Sequence, residues 1–168
     1  MKRTTMTMMA AAMLAMPVHA AATPAHDTAV TTPKPDHERA QELRVQAEAL
    51  FSQPKQWRKA IRLLEESAEL RDANDRGATV CLSLAGRIRS ALGDYSGARQ
   101  SLQKAGDHAL ARGSILEAAH SYLDAAHVAI REKNGQAAQE LVNRALLLAE
   151  SPLLTDAQRD EVTRRVAD

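Results

Sequence analysis

Cysteine and aromatic residues are the scarcest residues in this sequence. The 168 residues include one Cys, one Trp, two Tyr and one Phe. A single thiol, Cys81, excludes an internal disulfide, so we expect Cys81 to be a small buried apolar residue. Apolar residues nevertheless make up 45% of the chain, and Ala is the commonest of them. The core is therefore built largely from small side chains, which favours helices packed closely on helices.

The sequence also lacks the short motifs that accompany catalysis. It contains no glycine-rich phosphate loop, no G-x-S-x-G and no HExxH motif. Acidic doublets such as Glu65-Glu66 recur at helical spacing, and we interpret them as an exposed, solvated face. From these absences we expect no enzymatic activity and no bound cofactor.

The N-terminus is typical of a secretory signal peptide. A basic start is followed by an apolar stretch over 6–18 and by Val18-His19-Ala20, which fits the small-x-small cleavage pattern. The apolar stretch is shorter than the roughly 20 residues that a transmembrane helix needs. Residues 21–35 are rich in Pro and Thr and predict a flexible linker. We therefore expect cleavage after residue 20, no stable membrane insertion, and a periplasmic or secreted protein.

The charge balance gives no support for a polyanionic partner. Cleavage removes Lys2 and Arg3 from 22 basic residues, which leaves 20 against 21 acidic residues. The sequence has no run of three or more consecutive basic residues. Because proteins that bind nucleic acids usually carry a basic patch, we expect no nucleic-acid partner.

From residue 36 onward, apolar residues recur every three or four positions, which predicts helix throughout. Cap and turn signals mark the ends of these helices. The signals are the capping boxes Ser114-x-x-Glu117 and Thr155-x-x-Gln158 and the tight turn Gly93-Asp94. Gly113 and Asn134-Gly135 are each expected to take the left-handed conformation that ends the preceding helix. The predicted helices are 37–52, 54–72, 76–92, 94–112, 115–132, 136–150 and 155–166.

Three segments of the sequence align without gaps. They begin at Trp57, Tyr95 and Gly135, so the spacings are 38 and 40 residues, and each has Ala three positions further on. The helix before each segment carries small residues at a matching offset, namely Ala47, Ala85-Gly86 and Ala125-Ala126. Small residues at these positions let the two helices of a hairpin approach closely.

This pattern resembles the tetratricopeptide repeat (TPR) family. The second repeat matches best, with Leu82, Ala85-Gly86, Tyr95, Ala98 and Leu102 at signature positions. The first repeat departs from the family at Arg44 and Glu48, and the third at Gly135. The resemblance implies an all-α, TPR-like solenoid over 36–168, with hairpins at about 37–72, 76–112 and 115–150 and a capping helix at 155–166. A generic antiparallel helical bundle is the structural alternative.

In this family the first helix of each hairpin lines a concave groove. The resemblance therefore implies that a partner segment contacts Val45, Ala49, Val80, Ser83, Arg87, His120, Leu123, His127 and Ile130. An exported adaptor that binds a peptide or helix of another envelope protein is the function that this groove favours. The alternatives are a structural subunit of a larger complex, packing through its convex face or helix ends, and a carrier of a metal ion or small molecule.

His120, Asp124 and His127 share one stripe of a helix, with Glu117 one turn earlier. Imidazoles and carboxylates bind metals, but the two histidines are seven residues apart, about 10.5 Å along the helix axis. That distance is too long for both to reach one ion without help from another helix, so we expect no metal. We interpret the stripe as polar groups that hydrogen-bond a partner, with histidine protonation near pH 6 as a further hypothesis.

Overall fold

The computed structural model describes residues 35–167. The signal peptide predicted at 1–20 and the linker up to residue 34 lie outside this range. The elements of the described part are α1 (Pro35–Glu48), a 3₁₀ turn (Pro54–Gln56), α2 (Trp57–Glu69), α3 (Arg76–Ala91), α4 (Tyr95–Ala111), α5 (Ile115–Arg131), α6 (Gly135–Ala149) and α7 (Asp156–Ala167).

Each helix packs on the next one in the chain, which forms the hairpins α1–α2, α3–α4 and α5–α6. The last helix, α7, packs on α6 and also on α5. Side-chain contacts also join α3 to α5 and α4 to α6, so the odd-numbered helices form one row and the even-numbered helices a second row. The predicted fold, an all-α solenoid of three hairpins with a capping helix, is confirmed.

Three turns between helices share one geometry. Gly93, Gly113 and Lys133 adopt left-handed φ angles of 80°, 74° and 61°. In each turn the next residue donates its N–H to the carbonyl five positions earlier, at 3.0, 2.9 and 2.9 Å, which is the Schellman arrangement. The predictions at the two glycines are confirmed. The prediction for the third turn was wrong, because Lys133 takes the left-handed position while Asn134 caps α6 and Gly135 opens it.

Only one of the two predicted capping boxes forms. The N–H of Thr155 donates to Gln158 Oε1 at 2.9 Å, and the N–H of Gln158 donates to Thr155 Oγ1 at 3.3 Å. Ser114 makes no side-chain cap. Instead the Arg112 guanidinium donates to the Glu117 carboxylate at 2.6 Å. This charge-assisted hydrogen bond occupies the carboxylate that a capping box would use to accept the N–H of Ser114.

The first hairpin differs most from its predicted boundaries. Helix α1 ends at Glu48 and not at 52, because the chain turns over 49–53. Helix α2 is preceded by a 3₁₀ turn that starts at Pro54, where the missing proline N–H costs nothing. The indole Nε1 of Trp57 donates to the Phe51 carbonyl at 2.9 Å and holds this turn against α2.

Small residues bring the helices together as the repeat pattern predicted. Ala47, Ala85 and Ala125 are fully buried. At Gly86 an added Cβ would lie 2.7 Å from Cγ of Leu102, closer than real contacts allow. The approach of α3 and α4 therefore depends on the absence of a side chain at this position.

Tyr122 anchors the third hairpin to its neighbours. Its hydroxyl donates to Asp107 Oδ1 at 2.5 Å, and the Arg144 guanidinium lies 4.3 Å from the ring centroid. Burial and the bond to Asp107 raise the pKa of Tyr122 to about 12, so the phenol stays protonated. At Gly106 a Cβ would come within 2.6 Å of the Tyr122 ring. Tyr122 thus joins α4, α5 and α6 through a fitted aromatic contact.

Cys81 is fully buried, as predicted. Its Sγ lies 3.4 Å from Ser67 Oγ, and that hydroxyl donates to the Ala40 carbonyl at 2.7 Å. The thiol therefore contributes to a small contact among α1, α2 and α3.

Candidate functional site

A shallow depression of about 260 Å³ lies between α3 and α5 in the odd-numbered row. Its lining combines charged, polar and apolar groups from three helices, which are Arg87, Ser90, Leu102, Asp124, His127 and Val128. Arg87 and His127, which were predicted to line one groove, lie together here.

Asp124 is the central charge of this surface. Its carboxylate accepts a hydrogen bond from Arg165 of α7 at 2.6 Å and lies 3.5 Å from the Arg87 guanidinium of α3. The carboxylate is partly buried, whereas the Arg87 side chain is 70% exposed. Arg87 is therefore held loosely and can rearrange toward an incoming group.

Further long polar side chains bridge α3 and α5 on either side of Asp124. Arg76 donates to Glu117 at 3.2 Å, and Arg131 donates to Ser90 Oγ at 3.2 Å. Arg131 also stacks on the Tyr95 ring, 4.9 Å from its centroid. These bridges extend the polar surface between α3 and α5 beyond the depression.

His120 lies between α5 and α7. Its Nε2 is 3.2 Å from Glu161 Oε1, although the ring N–H is not aligned for a hydrogen bond. Burial and the nearby Arg165 lower the pKa of His120, and the acidic neighbours Glu161, Asp124 and Glu117 oppose this shift only in part. The surroundings of His120 at the α5–α7 junction therefore favour the neutral imidazole over the protonated one, compared with an imidazole in water.

The polar stripe on α5 does not act as one group. Glu117 faces Arg112 and Arg76, His120 faces Glu161, and Asp124 faces two arginines. Over residues 36–167, no three His, Cys, Asp or Glu side chains converge in a way that would hold a metal ion.

The remaining predicted groove residues differ in accessibility. Val45 and Ile130 are 55% and 61% exposed, which is unusual for large apolar residues. Ala49 and His127 are exposed, and Val80 and Ser83 are half-buried. An accessible polar and apolar surface therefore extends along the odd-numbered row.

Leu123 is the exception, and its placement in the groove was wrong. It is 1% exposed and belongs to the core cluster formed by α4, α5, α6 and α7. The error has a physical cause. Helix α5 is enclosed by neighbours on most sides, so helical spacing alone does not separate its groove face from its packing faces.

The contribution of α7 to the site was not predicted from the sequence. The segment was predicted only as a cap, yet Arg165 and Glu161 contact the polar stripe of α5. A weak signal was present, because these two residues are four apart and share one side of the helix.

The chain matches no protein-family model, and it matches none of the curated proteins. Among the described residues, no helix has the length and apolar character needed to cross a membrane.

Proposed function

We propose that this protein is an exported TPR adaptor that binds a segment of another protein along its odd-numbered row of helices. The observation that carries the proposal is the depression between α3 and α5, lined by charged, polar and apolar groups, together with exposed apolar side chains of the same row. Val45 and Ile130 can bury against apolar anchors of a peptide, while Arg87 and His127 fix its position by polar contacts.

The TPR assignment and the export signal are parts of this proposal. The stack of three hairpins and the buried small residues at the repeat positions support the assignment. In such an array the odd-numbered row would form the concave side. The basic start, apolar stretch and cleavage pattern of the N-terminus support export to the periplasm or beyond.

A photoreactive amino acid in place of a surface residue tests where a partner contacts the protein in cells. The groove positions are Val45 and Ile130, and the control position is Leu147 of α6, which is 68% exposed in the even-numbered row. We expect a discrete crosslinked partner from Val45 and Ile130 and none from Leu147. Failure of both groove positions to crosslink any protein would refute the proposal.

A charge reversal then tests whether the depression contributes to binding. Arg87→Glu places a second carboxylate beside Asp124 and should remove the crosslink from Val45. The matched control is Lys104→Glu, which reverses an exposed cation on α4. Leu123→Asp is unsuitable as a groove probe, because it would insert a charge into the core.

The alternative of a structural subunit is supported by a separate observation. Leu147 and Leu153, at the C-terminal end of the stack, are 68% and 75% exposed. Large exposed apolar residues often mark contacts with other proteins. Crosslinks from these two positions, with none from Val45 and Ile130, would favour the structural subunit over the adaptor.

A further inference from the structure

The exposed face of the first even-numbered helix carries only charged residues, and their signs are segregated. This face, called the α2 stripe below, runs from the 3₁₀ turn to the end of α2. It consists of Lys55, Arg58, Lys59, Arg62, Glu66 and Glu69, all exposed. The first four residues are cationic and the last two are anionic, and their spacing of three and four positions places them on one side of the helix.

The cations of the α2 stripe differ from most arginines of the fold. Within residues 36–167, none of the four has a carboxylate within 4.0 Å, whereas Arg99 contacts Glu132 at 2.8 Å and Arg165 contacts Asp124 at 2.6 Å. The two glutamates at the anionic end of the α2 stripe are also accessible to a partner. Glu69 has no cationic partner among the described residues, and Glu66 lies 3.9 Å from an Arg39 side chain that is itself largely exposed.

The order of charges in the stripe does not stabilise α2 itself. A helix is stabilised by acidic residues near its N-terminus and basic residues near its C-terminus. Helix α7 follows this rule, with Asp156 in its first turn and Arg164 and Arg165 in its last. Helix α2 reverses it, and like charges four residues apart, such as Arg58 and Arg62, add repulsion.

A helix with one cationic and one anionic end is complementary to an antiparallel copy of itself. We propose that two copies of this protein associate through their α2 stripes around a two-fold axis close to residue 63. This placement sets Lys59 opposite Glu66 of the second copy and Arg58 opposite Glu69 of the second copy. Each contact occurs twice, as an isologous interface requires. The two Arg62 side chains meet near the axis, and their repulsion weakens the association.

A second copy fits the stripe better than a uniformly anionic surface does. Nucleic acid or an anionic membrane would attract the cationic end but would be repelled by Glu66 and Glu69. Glu65, at the edge of the stripe, is bound by Arg89 at 2.8 Å, which corrects its interpretation as a solvated residue. Because the stripe has no apolar member, the association is weak and sensitive to salt.

Sedimentation velocity of the purified protein tests this inference through two charge-reversed variants. Arg58→Glu/Lys59→Glu makes the paired positions acidic, and Glu66→Lys/Glu69→Lys makes them basic. For the wild type we expect self-association that weakens at least about tenfold between about 50 mM and 500 mM NaCl. Each variant alone should be monomeric at low salt, whereas an equimolar mixture of the two should form a heterodimer, since all four paired contacts are then attractive.

Lys104→Glu/Lys133→Glu is the matched control, because it reverses two exposed cations outside the stripe. It should self-associate like the wild type, and circular dichroism should show all variants equally helical. A mixture that remains monomeric, or a control that dissociates as readily as the stripe variants, would overturn the inference. Binding of the wild type to DNA or to vesicles with anionic lipid, without self-association, would also overturn it. Crosslinks from Val45 and Ile130 are independent of every one of these outcomes.

Discussion

The first and third hairpins carry chemically different residues at equivalent positions of the repeat. Arg44 of α1 and Tyr122 of α5 correspond through the spacings of 38 and 40 residues. Arg44 donates to Glu48 at 2.8 Å, and both side chains are partly exposed. Tyr122 is buried and contacts both neighbouring helices. The same place in the repeat therefore carries an exchangeable ion pair at one end of the stack and a fitted aromatic contact near the other.

This difference extends to the helices around the two positions. Helix α5 has nine buried residues, and α4 and α6 cover it from both sides. The first hairpin ends the described stack and leaves the charged α2 stripe exposed. The comparison indicates that stability is concentrated in the second and third hairpins, while the first hairpin offers charged surface for association.

The largest expected effect comes from truncating the two equivalent side chains. Tyr122→Ala removes a buried ring and its bond to Asp107, and should lower the free energy of unfolding by about 3–5 kcal/mol. Arg44→Ala removes one surface ion pair and should cost about 0.5 kcal/mol or less. Urea unfolding followed by circular dichroism measures both. Equal losses would contradict the unequal distribution of stability.

Replacing a glycine by alanine tests the close contact between Tyr122 of the third hairpin and Gly106 of the second hairpin. Gly106→Ala places a Cβ against the rigid Tyr122 ring and should destabilise the protein by about 1–3 kcal/mol, despite the better helix propensity of Ala. Gly135→Ala is the control, because no heavy atom lies within 4 Å of its added Cβ. Thermal unfolding should show a lower midpoint for the first variant only, and a stabilised Gly106→Ala would refute the close contact.

The two helix starts that flank α5 allow a smaller test. Asn134 Oδ1 accepts the N–H of Ala137 at 3.1 Å, so Asn134→Ala should cost about 1 kcal/mol. Ser114 makes no such bond, and Ser114→Ala should change the free energy of unfolding by no more than about 0.3 kcal/mol. If Ser114→Ala proves as costly as Asn134→Ala, the capping box predicted from the sequence forms in solution after all.

The middle of the fold was predictable because its helix limits depend on local sequence signals. The limits of α3 to α6 were predicted to within one residue, since their turns depend on glycine, asparagine and cap chemistry that acts over a few residues. The small residues of the repeat also predicted the close helix contacts at Gly86.

The candidate site was less predictable because its contacts are long-range. Asp124 and Arg165 are 41 residues apart, and no local spacing identifies which acidic residue a given arginine will contact. Leu123 was misplaced for a related reason, since the number of neighbours around α5 is a property of the stack. The α2 stripe was overlooked because its cations form no long basic run in the sequence and come together only on one side of the helix.

The smallest effect concerns pH and the junction of α5 with α7. The pKa of His120 in the folded protein is lowered from its usual 6.5 by burial and by Arg165, so the unfolded chain binds the proton more tightly. The stability that the neutral imidazole contributes is therefore complete above about pH 6.5. It is lost as the pH falls below that value toward the lower pKa of the folded state.

Urea midpoints at several pH values should decline more gradually on acidification in His120→Gln than in the wild type. His127→Gln removes an exposed imidazole of the same helix and should keep the wild-type slope. If both variants reduce the pH dependence of the urea midpoint equally, that dependence arises outside the α5–α7 junction. The contrast between buried and accessible positions along α5 then does not hold.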